Sequence, residues 1–151
     1  MNAPPGGFVL EQQMVMDSPR ERIFSALTNA AELARWFGPQ GFTMPEIEVD
    51  LRVGGGYRLT MQPPGGGDRF HLSGEFLEID APRRLVYTFR YEEPDPADRE
   101  TVVALTLEEV GHATEVSLSH GEFATESRLE LHRSGWTDSL EKLSELSASS
   151  A

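Results

Sequence analysis

The feature that most constrains this chain is a change of hydrophobic period. From about Ile47 to His120 apolar residues recur at every second position, the period of strands buried on one face. From Ser127 to Leu146 the spacing becomes three and four, so that Leu129, His132, Trp136, Leu140 and Leu143 share one helical face. A long amphipathic helix that closes a run of strands has to lay that face on the sheet. The face is not uniformly apolar, because His132 and the bulky Trp136 belong to it. The expectation is a lid over a cavity with a polar spot, and a small molecule as partner.

The rest of the chain supplies the sheet. Phe8 to Val15 reads as a first strand. Asp17-Ser18-Pro19-Arg20-Glu21 then signals a helix start, with Ser18 as cap, Pro19 at the first helical position and Glu21 bonding back. Ile23, Phe24 and Leu27 form that helix's buried stripe. Asn29 with Glu32 opens a second, short helix carrying Leu33 and Trp36, and Phe37-Gly38-Pro39 stops it. Ile47 and Val49 begin a strand, and Gly54-Gly55-Gly56 marks a turn. Tyr57, Leu59 and Met61 alternate with polar residues, and Pro63 to Asp68 is a glycine-rich hairpin turn. Phe70, Leu72 and Phe76 point one way, with Gly74 between them as an expected bend or bulge. Leu85, Tyr87, Phe89 and Tyr91 follow, then an acidic loop, then Val103, Leu105 and Leu107 paired across Gly111 with Val116, Leu118 and His120. The order is strand, two helices, six strands, one long helix. That is an α+β fold: a curved antiparallel sheet of six to seven strands around a C-terminal helix. A single domain spans residues 8–147, between a loose arm (1–7) and a small-residue tail (148–151).

Composition removes several function classes. With no cysteine, disulfides, thiolate metal sites and thiol nucleophiles are excluded. A net charge of -12 argues against nucleic acid and anionic membranes as partners, since phosphate recognition needs clustered Lys and Arg. The first residues lack the basic and apolar regions of a signal peptide, and no run reaches the length of a membrane span. A cytoplasmic protein is expected.

Few residues offer chemistry. His71 and His112 fall on a strand's polar phase and in a turn, so both are read as surface residues; His120 and His132 turn inward. Two inward histidines are read first as partly buried imidazoles hydrogen-bonded to backbone or to each other, and second as groups that relay a proton or orient a polar ligand group; a metal wants a third ligand and no close-spaced motif supplies one. No metal and no cofactor are expected. Ser119-His120 adjacency carries no meaning on a strand, and no nucleophile elbow or phosphate loop is present. The pairs Glu92-Glu93 and Glu108-Glu109 are read as solvated rather than as a glycosidase dyad. The aromatics remain. Core filling accounts for most of them on the plain reading; on the functional reading Trp36, Tyr57, Met61, Phe70, Phe76, Tyr87, Phe89, His120, His132 and Trp136 are the candidate lining of an apolar pocket, in which the Tyr57 and Tyr87 hydroxyls and the two histidines are the polar groups.

These residues resemble a known family. Ser18-Pro19-Arg20-Glu21-Arg22-Ile23-Phe24, with Thr28 through Trp36-Phe37-Gly38-Pro39, looks like the opening of the START-like SRPBCC superfamily, and more narrowly like homologues of the C-terminal domain of the activator of the heat-shock-protein-90 ATPase. Asp50-Leu51-Arg52-Val53-Gly54-Gly55 matches that family's D-x-R-x-G-G turn. Gly74-Glu75-Phe76 with Pro82 and Leu85 matches its hairpin, and Gly135-Trp136 with Leu140 and Leu143 its closing helix. Phe37 departs from the second Trp often found there. The resemblance implies a helix-grip fold with a cavity between sheet and helix, and no shared catalytic residue. It is not taken to imply chaperone activation, because the activator's separate N-terminal domain has no counterpart here.

Three functions follow as expectations. The first is a binding module holding a small apolar or aromatic molecule under the last helix. The second is a cyclase, dehydratase or hydrolase using His120 or His132 as general base. The third is a protein-interaction module presenting the loop from Glu92 to Glu100. A homodimer through an edge strand, the first or the one around Ile47, is compatible with all three.

Overall fold

The computed structural model describes residues 7–149, so the expected arm, apart from Gly7, and the last two tail positions lie outside the described residues. The elements are β1 (Phe8–Met16), α1 (Arg20–Thr28), α2 (Ala30–Trp36), β2 (Thr43–Val49), β3 (Gly56–Gln62), β4 (Phe70–Asp80), β5 (Arg84–Tyr91), β6 (Thr101–Val110), β7 (Ala113–Phe123) and α3 (Glu126–Ser149). Number, type and order agree with the sequence reading. All neighbouring strands are antiparallel, in the order β1-β7-β6-β5-β4-β3-β2, which leaves β1 and β2 as the edges.

The two periods decide which side chains are inside. Along β6, Thr101, Val103, Leu105 and Leu107 are buried; on β7 the same holds for Thr114, Val116, Leu118 and His120. Register pairs Val103 with His120 and Leu105 with Leu118, so one face of the sheet is continuous. α3 lies on that face and buries Leu129, His132, Trp136, Leu140, Leu143 and Leu146. Each fully buried apolar side chain stabilises the fold by roughly 1.5–3 kcal/mol relative to exposure. Thr125 sets the start of α3: its Oγ1 accepts the Arg128 N–H at 3.1 Å, one residue earlier than the helix expected from Ser127. No helix among the described residues is long and apolar enough to cross a membrane.

Two local expectations need correction. Ser18 does not cap α1. The helix begins one residue later than the motif implied, Pro19 stands at the cap position in extended conformation, and no side chain caps it. Ser18 is instead tied to the sheet, its N–H donating to Met16 O and its carbonyl accepting the Thr114 hydroxyl. Gly74, in turn, is not a bulge. The register shift in β4 lies between Phe76 and Glu78, and Gly74 keeps its place opposite Tyr57 in the β3 ladder. It must be glycine for space: a Cβ there would stand 1.9 Å from Thr88 O and 2.7 Å from the Tyr57 ring. At α2 the expected cap is present, with Asn29 Oδ1 accepting the Glu32 N–H at 3.1 Å.

Candidate functional site

Where α2 ends, the chain is pinned to α3. The Gly38 N–H donates to Ser139 Oγ at 2.9 Å and the Ser139 hydroxyl donates to Gly38 O at 3.2 Å, while the Gln40 N–H donates to Asp138 Oδ2 at 3.1 Å. These bonds hold the loop beside the helix without filling the space beneath. A cavity of about 200 Å³ lies there, between α3, the loop after α2, and strands β3 to β5. Five of the ten candidate residues line it: Met61, Phe70, Phe89, His132 and Trp136.

The other five stand elsewhere. Tyr57, Phe76 and Tyr87 surround a separate space of about 20 Å³, together with Leu27, Leu33 and Leu85. A volume of that order admits about one water, so this is packed core. The Tyr57 hydroxyl donates to Thr88 O at 2.6 Å across Gly74 and is spent there rather than offered to a ligand. Burial pushes both the Tyr57 and Tyr87 hydroxyls well above their ordinary pKa. Trp36 is buried, donates Nε1–H to Ala26 O at 2.8 Å, and packs edge-on against Phe37, which does line the cavity. His120 sits behind the lining, its ring 4.5 Å from that of Phe89.

Sequence reasoning missed Phe37, Phe42, Tyr91, Gly135 and Ser139 as lining. Part of the signal was present: Leu131, Gly135 and Ser139 recur every fourth residue, on the helical face beside His132 and Trp136. A glycine in the interior of an amphipathic helix is the conspicuous member, because it removes a side chain where the helix covers the cavity. Leu131 at the rim is 54% exposed, so one side of the space reaches the surface.

The histidines form two closed chains of hydrogen bonds. Trp136 Nε1–H donates to His120 Nδ1 at 3.0 Å. His120 Nδ1 is therefore unprotonated, and the ring's hydrogen sits on Nε2, which donates to Thr101 Oγ1 at 2.8 Å. Thr101 in turn donates to Phe89 O at 3.3 Å. In the second chain His132 Nδ1 faces the Arg128 carbonyl at 2.7 Å and must carry the hydrogen. Nε2 then accepts, and the Tyr91 hydroxyl donates to it at 2.6 Å. Both ring nitrogens of both residues are taken by the protein. Burial holds His120 well below the ordinary histidine pKa, with the neighbouring His132 adding to the effect. Burial also lowers His132, against the opposing pull of the Arg128 carbonyl.

The acidic loop is more ordered in its pairing than the solvated reading implied. Arg58 grips the Glu92 carboxylate with Nε at 2.9 Å, and Glu93 takes both the backbone N–H and Nδ1 of His71, at 2.8 and 2.7 Å. These bonds hold both carboxyls below the usual range. His71, Glu92 and Glu93 bring three potential ligand atoms within 4.8 Å of one another, but each is already committed to those protein partners. Beside His132, Asp98 pairs with Arg128 at 2.6 Å.

The family described as Activator of Hsp90 ATPase homolog 1-like protein matches residues 17–148. Among solved structures, protein CV1439 from Chromobacterium violaceum is similar at 26% identity and a TM-score of 0.86, covering 92% of this chain and 96% of that one. The AHSA1 protein from Silicibacter pomeroyi is similar at 26% identity and a TM-score of 0.81, with 93% and 97% covered. A Nitrosomonas europaea protein, NE0264, gives 26% identity and 0.79, with 95% and 96% covered. No curated protein sequence matches the chain.

Proposed function

The chain belongs to the Activator of Hsp90 ATPase homolog 1-like family, and from that premise we propose that it binds a small, largely apolar or aromatic molecule in the cavity under α3. The observation that carries this reading is the cavity itself, about 200 Å³ beneath a helix that presents Gly135 among its facing residues. Tightly packed interiors keep few voids larger than a water molecule. Apolar cavities of about 150 Å³ stay dry and take up benzene. By the same ratio this one suits about eight heavy atoms, an aromatic ring with a short substituent.

The energetics fit such a ligand. Burying two or three fragments the size of a core side chain supplies roughly 1.5–3 kcal/mol each. Against the roughly 8 kcal/mol that a micromolar dissociation constant represents, the expected affinity is micromolar or weaker. The general-base reading receives less support, because all four ring nitrogens of His120 and His132 are engaged with protein groups.

Native mass spectrometry of protein purified without denaturation, followed by thermal-shift screening of small aromatic and aliphatic compounds, tests the proposal. A co-purifying small mass or dose-dependent stabilisation is expected. An empty protein that no compound stabilises would overturn it.

A further inference from the structure

The cavity's polar side chains have all given their hydrogens away. Four lining residues carry polar side-chain atoms: Tyr91, His132, Trp136 and Ser139. Trp136 donates to His120, His132 Nδ1–H to the Arg128 carbonyl, Tyr91 O–H to His132 Nε2, and Ser139 O–H to the Gly38 carbonyl. Each direction is fixed by the partner. A carbonyl only accepts, and an indole N–H only donates. The Gly38 N–H of the lining loop is spent on Ser139 Oγ as well. What these side chains retain is acceptor capacity, the remaining lone pairs of Tyr91 Oη and Ser139 Oγ.

Resting on the proposed binding of a small apolar ligand, we propose that the cavity selects compact neutral molecules whose polar group is a hydrogen-bond donor, a phenol or an alcohol, and rejects isosteres that only accept. A hydroxyl entering this space meets an oxygen lone pair. A carbonyl or carboxylate turned inward, away from the open rim, meets only lone pairs and carbon, so it loses its water without replacement. No Lys or Arg lines the cavity to receive an anion, and the chain's net charge of -12 repels one.

Three probes of nearly equal size separate the cases: p-cresol, p-xylene and p-tolualdehyde, titrated calorimetrically into the intact protein. p-Cresol is expected to bind at least about tenfold more tightly than p-tolualdehyde, the cost of one buried unsatisfied acceptor. p-Xylene should also bind more tightly than the aldehyde, since it leaves nothing unpaired. Equal binding of aldehyde and phenol, or an aldehyde preference, overturns the donor rule while leaving a small-molecule pocket in place. If none of the three binds, the donor rule and the pocket reading fall together. A second variant tests the direction of the chain. His132→Leu removes the acceptor that holds the Tyr91 hydrogen, freeing a donor beside the cavity. In that variant p-tolualdehyde should gain at least about tenfold relative to p-cresol. An unchanged ratio in a folded variant overturns the assignment of Tyr91 as donor to His132, and the probe series on the unaltered protein decides the matter if the variant does not fold.

Discussion

Replacing Gly135 by alanine should make this protein more stable and its cavity less useful, two effects of opposite sign from one methyl group. Gly135 lies inside α3, and its φ is not in the left-handed region. An ideal Cβ built there finds only Pro39 Cγ, at the ordinary contact distance of 3.7 Å. Nothing in the native state opposes the change. Alanine is favoured over glycine in a helix interior by about 0.8–1.0 kcal/mol, mostly because glycine leaves the unfolded chain more freedom. For a protein of this size about 1 kcal/mol corresponds to a rise of about 2–4 °C in Tm. The same methyl projects at the cavity that Gly135 lines. A ligand that fills the space then meets an overpacked wall, which costs about 1–3 kcal/mol and weakens binding roughly 5- to 150-fold. Differential scanning calorimetry gives the first number and p-cresol titration the second. A fall in Tm would refute the claim that the space beside Gly135 is open. A rise in Tm with unchanged affinity would refute the claim that ligand occupies it.

Other expectations follow from the same contacts. Thr101→Val keeps the shape but strands the His120 Nε2–H and takes one donor from the Phe89 carbonyl; equilibrium urea unfolding should register a loss of about 1–3 kcal/mol. Gly74→Ala drives a Cβ into Thr88 O and the Tyr57 ring, and should cost about 3 kcal/mol or more by the same assay, with a neutral result refuting the close approach. The pH dependence is set by His120 and His132, whose native pKa values lie below the ordinary 6.5 because burial disfavours the charged ring. The unfolded chain therefore binds more protons than the native one below about pH 6.5, so stability is complete above that value and declines as pH falls through it. Glu92 and Glu93, lowered from 4.5, add their own loss only in a more acidic range. Unfolding midpoints at pH 7.5 and 5.2 should differ accordingly, and a flat profile would contradict the buried neutral pair.

The fold was legible because it is written in local periods. Alternation placed Val103, Leu105 and Leu107 inside, and helical spacing did the same for Leu129, Trp136 and Leu143, since burial on one face forces those spacings. The phase argument also turned His120 and His132 inward. What they do there was not legible, because it depends on partners far along the chain. Tyr91 reaches His132 across 41 positions, and Gly38 reaches Ser139 across 101. The division of the aromatics between core and cavity was hidden for the same reason. Tyr57 and Phe89 occupy similar strand phases, yet one closes over Gly74 and the other faces α3. The cap at Ser18 failed because Pro19 shifts the helix start and the sheet claims the serine's backbone.

Titration of the isotopically labelled protein with p-cresol, followed by amide chemical shifts, locates the bound molecule. Saturable shifts are expected to concentrate on Gly38, Leu131, Gly135 and Ser139, around the space beneath α3. Saturable shifts gathered elsewhere, or none at millimolar probe, would contradict binding beneath α3.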